Sequence, residues 1–386
     1  MENFTLHLPT RIIFGRGSEE KVGEEVAKHS RKILFHYGGG SIKRTGLYGR
    51  VVESLKKSGV GFVEMGGVVP NPRLSMVRKG IELCRTEGID FILAVGGGSV
   101  IDSAKAIAAG VPYSGDVWDF FEKKARIRKA LPIATILTIS AAGSEMSPSM
   151  VITDEKSGRK LSGRSDLIRP VLSILNPELT FTLPKEQIAY GAVDMFAHIV
   201  ERYFTDTGNV DVTDEMCEAV MRSIIRNSAK ALADPRDYDA QAELMWAGTV
   251  AHNGILGAGR EEDWSSHKIE HELSAAYDIA HGAGLAVIIP AWMKYVCKHD
   301  TKRFARYARN VFHVIERDDE KAALAGIVET GKFFRSLGLE TTLRGLEIGP
   351  GRIPEMAKLC ADGKKIGSFV RLGEKDIGNI YRLALK

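Results

Sequence analysis

The chain has 386 residues, 44% hydrophobic and 26% charged, a length that suits about two domains with buried cores. Lys and Arg total 53 against 49 Asp and Glu, a net charge of only +4 spread along the chain. The one basic run, Lys123–Lys129, has no interleaved aromatics, so nucleic acid is excluded as the target. No apolar run approaches the roughly 18 residues a membrane span needs. The N-terminus, MENFTLHLPTRIIFGRG, shows no signal peptide. Cys84, Cys217, Cys297 and Cys360 form no CxxC pair, as expected of reduced thiols in a cytoplasmic protein.

In chain order, KILFHY (Lys32–Tyr37) is the first predicted strand and Gly38-Gly39-Gly40-Ser41 follows it. GFVEM (Gly61–Met65) is the second strand, with an amphipathic helix over Leu74–Arg85 behind it. The third, FILAV (Phe91–Val95), runs into Gly96-Gly97-Gly98-Ser99 and a helix over Ser99–Ala109. Ser99 is expected to cap that helix, with Asp102 closing an S-x-x-D box. PIATILTI (Pro132–Ile139) and VLSIL (Val171–Leu175) are the remaining strands, and no strand pattern appears beyond Pro184. Alternation of this kind implies a parallel sheet with helices on its faces. The expected organisation is an α/β domain over 1–184 and an all-helical domain over 185–386.

A glycine turn at the carboxyl end of a strand lets backbone approach a ligand, and a helix start there favours phosphate. Two such turns in one sheet point to a dinucleotide. Gly38, Gly39 and Ser41 of the first turn and Gly97, Gly98, Ser99 and Asp102 of the second are its candidate contacts. No acidic residue stands past the first strand to hold a ribose 2′-hydroxyl. Gly38 is there instead, with Ser41, Lys43 and Arg44 close by, so NADP is expected to serve at least as well as NAD. Ser144-Glu145 lacks the G-x-S-x-G frame of a nucleophile and reads as part of a loop.

The later half carries a histidine cluster. Asp194 and His198 are spaced i, i+4 in GAVDMFAHIVE, which puts a carboxylate and an imidazole on one helix face. His267 and His271 repeat the spacing in WSSHKIEHELSAAYDIAHGAGLA, and His281 precedes a Gly-x-Gly. One carboxylate with two or three imidazoles suits Zn²⁺ or Fe²⁺ better than Ca²⁺ or Mg²⁺. Spacing leaves open whether His271 or His281 completes the set. Trp246, Trp264 and Trp292 lie on apolar helical stretches and are expected in the core.

FGRG (Phe14–Gly17), PNP (Pro70–Pro72), GGGSVID (Gly96–Asp102), the AAGSEM loop, AYGAVDMFAHIVE and HGAGLAVIIP span nearly the whole chain. With these motifs the chain resembles the iron-containing (group III) alcohol dehydrogenases, in particular their butanol dehydrogenase and broad aldehyde reductase branch. The resemblance implies a Rossmann-like N-terminal domain, a helical metal-bearing domain, a cleft between them and a homodimer. It implies a metal, Fe²⁺ or Zn²⁺, on Asp194, His198, His267 and His281. It lays the dinucleotide across Gly38, Asn71, Gly97, Gly98, Ser99, Thr138, Ser147, Lys160 and Leu179. His271 matches a histidine near the nicotinamide that is not usually a ligand, suited to relay a proton. Ala141-Ala142-Gly143 departs from the T-G or T-A pattern of many members. The activity implied is reversible NAD(P)-dependent oxidation of a primary alcohol or reduction of its aldehyde. A dehydroquinate-synthase-like lyase of the same architecture is the rival enzyme, and a non-catalytic nucleotide- or metal-binding protein the rival outside catalysis.

Overall fold

The computed structural model describes residues 1–386. It divides into an α/β unit, His7–Leu183 with Pro235–Thr249, and a helical unit, Met1–Leu6 with Pro184–Asp234 and Val250–Lys386. The division expected at 184/185 is a single cut, and the structure departs from it at both short segments. Residues 235–249 lie with the α/β unit because their aromatics pack there. Trp246 meets Phe14 edge-on at 6.5 Å, and the Arg16 guanidinium stands 3.7 Å from the Tyr238 ring centre. Residues 1–6 join the helical unit through the Met1 ammonium, which donates to Gly208 O at 2.7 Å, and Glu2 N–H, which donates to Gly259 O at 2.8 Å.

The α/β unit has eight strands: β1 (Arg11–Phe14), β2 (Lys32–Gly38), β3 (Gly61–Val68), β4 (Ile92–Gly96), β5 (Ile133–Leu137), β6 (Ser149–Asp154), β7 (Arg159–Arg164) and β8 (Leu172–Leu175). Six form one all-parallel sheet in the order β1-β8-β5-β4-β2-β3, and β6 and β7 form an antiparallel hairpin. The predicted parallel sheet with helical coverage is therefore present, and all five predicted strands are in it. β4, β5 and β8 are buried along their whole length, as strands covered on both faces must be. Successive residues serve opposite faces. Leu34, Ile92 and Ala94 join one core, while Ile33, Phe35, Leu93 and Val95 join the other.

The helical unit is built around the helix Lys185–Tyr203, buried at almost every position from Ile188 onward. Beside it stand the helices Ser265–Tyr277 and His281–Val296. Close approach is bought with small residues: a Cβ at Gly282 would collide with the backbone of Tyr190. No helix of the chain is long and apolar enough to cross a membrane.

Candidate dinucleotide edge and metal centre

After β2 the chain moves outward to β3, then returns across β2 to form β4 on its other side. The point where strand order reverses thus lies between β2 and β4, and in open α/β sheets ligands bind outside the carboxyl ends of the strands there. Tyr37 is in register with Val95, so the turns Gly38–Gly40 and Gly96–Gly98 leave neighbouring strands at the same edge. Thr138 follows β5 at this edge, its N–H donating to Gly96 O at 3.1 Å. Backbone here is closely approached: a Cβ at Gly97 would stand 3.1 Å from Ile139 Cδ1, and one at Gly98 3.0 Å from Ala142 Cβ.

The other candidate cofactor residues sit on connections of the α/β unit or, for Lys160, on the hairpin strand β7. Asn71, between two prolines after β3, adopts a left-handed backbone at φ 53°, which asparagine tolerates better than most residues. Pro72 O accepts from Thr153 N–H at 2.9 Å, and Thr153 is in register with Lys160 on β7. Leu179 lies in a short turn of helix just after β8, and Ser147 in the loop after β5. Ser41 opens the short helix Ser41–Arg44, entered through Gly40 at φ 111°. Lys43 is not simply solvated. Its ammonium lies 5.2 Å from the Tyr37 ring and 4.8 Å from that of Tyr48, and both phenols donate to Glu64, at 2.8 and 2.5 Å.

One expectation about the helix after β4 needs correction. It runs Gly98–Gly110, its N-cap is Gly97 and no side chain caps it. Ser99 is therefore inside the first turn, and the S-x-x-D box does not form, because the glycines let the helix start earlier. Asp102, a candidate cofactor contact, has its carboxylate bonded to the loop after β5 and to strand β6. Oδ1 accepts from Ser144 Oγ at 2.5 Å and Oδ2 from Val151 N–H at 2.9 Å. One turn on, the fully buried Lys105 donates to Ser144 Oγ, Ser147 O and Ser149 O at 2.8–2.9 Å. Burial pushes the Lys105 ammonium down to about 8, against the opposing pull of Asp102 and Glu145. Asp102 and Lys105 thus fix the loop that carries Ser147. Sequence reasoning passed over Lys105, although its spacing from Asp102 was visible.

The metal-ligating candidates converge in the helical unit. Asp194 Oδ1 faces His198 Nδ1 at 3.6 Å, His281 Nε2 at 3.7 Å and His267 Nε2 at 4.0 Å. These separations exceed hydrogen-bond length. His198 Nδ1 and His267 Nε2 are buried with no hydrogen-bond partner, an arrangement that is costly unless a further group sits between them. Donors of Asp194, His267 and His281 lie within 4.8 Å of one another. Burial first, then the neighbouring charges of His252 and His267, hold the His198 imidazole well below its usual range. That keeps it in the neutral form that binds a metal. A mixed carboxylate and imidazole set of this kind fits a divalent transition metal. On the alternative between His271 and His281, the two residues differ in their grouping. His281 stands with Asp194 and His267, while His271 groups with Glu270 and His281, its ring centre 5.6 Å from that of His281.

Several residues around the centre escaped sequence reasoning. Glu201 Oε1 accepts from His267 Nδ1 at 2.8 Å, and Glu270 Oε2 is bonded to His281 Nδ1. Burial would raise the Glu201 carboxyl, but the hydrogen bond and charge of His267 outweigh it and leave its pKa lowered. Glu201 stands three residues past His198 in the sequence, but nothing in that spacing reveals a partner on another helix. His252 stacks 4.1 Å from His198, ring to ring. Of the three tryptophans expected in the core only Trp292 is fully buried. Trp246 is 47% exposed, because its stretch of helix is apolar on more than its buried side. Trp264, at φ 64°, lies against the rings of His198, His252 and His267 at 5.2–5.9 Å.

Residues 9–177 match the model for iron-containing alcohol dehydrogenase, and residues 188–385 that for the C-terminal part of the Fe-containing alcohol dehydrogenase family. The chain is 44% identical to a probable NADH-dependent butanol dehydrogenase 2 of Bacillus subtilis (strain 168), covering all of both proteins. It is 38% identical to an NADPH-dependent aldehyde reductase of Escherichia coli (strain K12), across 93% of this chain and 92% of that one. The crystal structure of NADH-dependent butanol dehydrogenase A from Thermotoga maritima superposes with a TM-score of 0.97 at 44% identity, covering 100% of this chain and 99% of that one.

Proposed function

Since this chain belongs to the iron-containing alcohol dehydrogenase family, in its butanol dehydrogenase and aldehyde reductase branch, we propose that it moves a hydride between NAD(P)(H) and a primary alcohol or its aldehyde. Alcohol dehydrogenase and aldehyde reductase activity, NAD(P)(H) and a divalent metal come with that membership. Asp194, His198, His267 and His281 hold the metal. The observation that supports this most is the pair of buried, partnerless imidazole nitrogens beside Asp194 Oδ1. When bound, the metal supplies a Lewis acid that polarises the substrate oxygen.

The remaining steps belong to the chain's own side chains and backbone. The turns Gly38–Gly40 and Gly96–Gly98 present N–H groups to the dinucleotide phosphates. Gly39, Ser41, Asn71, Ser99, Thr138, Ser147, Lys160 and Leu179 surround the rest of the cofactor. Asp102 acts behind them, through Ser144 and Val151. His271, outside the group formed by Asp194, His267 and His281, exchanges the alcohol proton with solvent. NADP(H) is accepted at least as well as NAD(H), because no carboxylate stands at Gly38 and Arg44 is exposed beside the turn.

The protein works in the cytoplasm as a homodimer. Its four cysteines are free, and Phe14 on edge strand β1 is 41% exposed next to Trp246. Light scattering that gives the monomer mass would remove the dimer. The activity is tested with a panel of short primary alcohols and aldehydes, NADH and NADPH, on protein loaded with Fe²⁺ or Zn²⁺. Net cofactor turnover with primary substrates is expected, and its absence across the panel would overturn the substrate class.

A further inference from the structure

The three helices that carry the proposed metal ligands are joined to one another by two carboxylates, and neither is among the four proposed ligands. Glu201 lies seven residues after Asp194 on the helix Lys185–Tyr203, two turns further along the same face. It is fully buried. Its Oε1 accepts from Ser266 Oγ at 2.6 Å, from His267 N–H at 2.8 Å and from His267 Nδ1 at 2.8 Å. The helix Ser265–Tyr277 has Trp264 at its N-cap with no side-chain cap, so one oxygen from another helix supplies an acceptor for its first turn. The same oxygen fixes the ring of the ligand in that turn. A carboxylate can only accept, so His267 carries its proton on Nδ1 and turns an unprotonated Nε2 towards Asp194.

Glu270 repeats the device one helix further on. It sits three residues after His267, is fully buried, and is bonded to Ser274 Oγ and to His281 Nδ1. His281 is the first residue of the helix His281–Val296. Space for this carboxylate depends on a missing side chain, since a Cβ at Gly284 would stand 2.6 Å from Glu270 Oε1 and 2.8 Å from its Cγ. Gly284 therefore belongs to the metal centre through the room it leaves for Glu270.

We propose that Glu201 and Glu270 are the positioning carboxylates of the metal centre, each setting the tautomer and direction of one imidazole, and that Gly284 is required to seat Glu270. This rests on the reading that Asp194, His198, His267 and His281 hold the metal. The two links run in series: Glu201 ties the Asp194 helix to the His267 helix, and Glu270 ties the His267 helix to the His281 helix. His198 has no such brace. Its ring is held by packing against His252 and Trp264.

The test is Zn²⁺ affinity of the full chain, measured by competition with a chromogenic chelator, with NAD(P)H binding followed in parallel as a check that the chain is folded. Glu201→Gln and Glu270→Gln keep shape but replace one acceptor oxygen with a donor, and each is expected to raise the Zn²⁺ Kd by about 10–100-fold. Gly284→Ala is expected to act in the same direction by displacing Glu270. Combined with Glu270→Gln it should add little, because both changes break one link. If Glu201→Gln does not fold, because it also uncaps a helix, Glu270→Gln and Gly284→Ala still decide the matter. Metal lost in His267→Ala but bound with wild-type affinity in Glu270→Gln and Gly284→Ala would overturn the positioning role alone. Full metal content in His267→Ala would overturn the ligand assignment beneath it.

Discussion

At the proposed dinucleotide edge, the groups offered to the ligand are mostly backbone, and they are placed by where strands end. Gly38 and Gly96 leave adjacent strands in register, and no distant side chain is needed to bring them together. At the proposed metal centre the candidate donors are side chains from three helices, and each of two imidazoles is hydrogen-bonded by a carboxylate on a different helix. The first kind of site tolerates change in most nearby side chains but not added bulk in its turns. The second depends on individual atoms, and removing one donor leaves buried polar groups without a partner.

The sharpest separation of the two regions comes from His267→Ala. It is expected to lose the metal and lower turnover by more than about 10³-fold, the scale of several kcal/mol of lost charge stabilisation. NAD(P)H affinity, set within the α/β unit, should stay within about twofold. Metal content by atomic absorption and cofactor binding by fluorescence check both halves. Wild-type metal content in His267→Ala and His281→Ala alike would refute the site.

A smaller loss is expected from His271→Ala. Proton relay is worth about 10²–10⁴-fold, so kcat should drop on that scale while metal content is unchanged. Metal loss on this substitution would instead make His271 a ligand and remove His281 from the set. A variant of full activity would assign His271 no part in turnover.

What could be read in advance follows the same divide. The glycine turns are contiguous words at the ends of apolar runs, so the role proposed for Gly38–Gly40 and Gly96–Gly98 was legible in their local pattern. The strands β1, β6 and β7 were missed for physical reasons. RIIF is a short edge strand, and RKLSGR alternates with exposed charges that mimic a loop. In the helical unit, i, i+4 spacing indicated which faces carry candidate donors, but the grouping of His281, rather than His271, with Asp194 and His267 needed the fold. Glu201, Glu270 and Lys105 act on partners in other elements, and no local pattern encodes a partner. Gly284 is the extreme case: it matters for a side chain that is absent.

Histidine itself can sharpen the contrast, because one imidazole of the α/β unit has both nitrogens satisfied. His36 on β2 is fully buried, with Nδ1 at 2.9 Å from Met65 O and Nε2 at 3.0 Å from Ser103 Oγ. Burial lowers its pKa to about 4, the Met65 carbonyl only partly opposing, from an ordinary value of 6.5. Below pH 6.5 the unfolded chain takes up a proton that the folded chain refuses, so stability falls as pH drops and is lost progressively down to pH 4. That difference is worth about 3 kcal/mol. Denaturant midpoints of the α/β unit should move down between pH 7 and 4.5, and His36→Gln should flatten that dependence by a comparable amount. Equal slopes in the two proteins would show that His36 does not titrate with folding.

The smallest expected effect concerns cofactor choice at the backbone-built edge. Gly38 is not in a left-handed conformation, and a Cβ there would lie 3.5 Å from Val68 O and 3.6 Å from Val100 Cγ2, both ordinary contacts. Aspartate can therefore be introduced without displacing the strand end. Its carboxylate would accept from a ribose 2′-hydroxyl and repel a 2′-phosphate. Opposing it are Lys43, whose charge is shared with the Tyr37, Tyr48 and Glu64 group, and the exposed Arg44. At a solvent-facing edge such repulsion is worth about 1 kcal/mol or slightly more, so Gly38→Asp should move the kcat/KM ratio about tenfold towards NADH. The measurement is that ratio in both proteins, with one aldehyde and one metal. A wild-type enzyme already strongly selective for NADH would mean that the absence of an acid at Gly38 does not set cofactor choice. An unchanged ratio in the variant would place the 2′ position of the ribose away from Gly38.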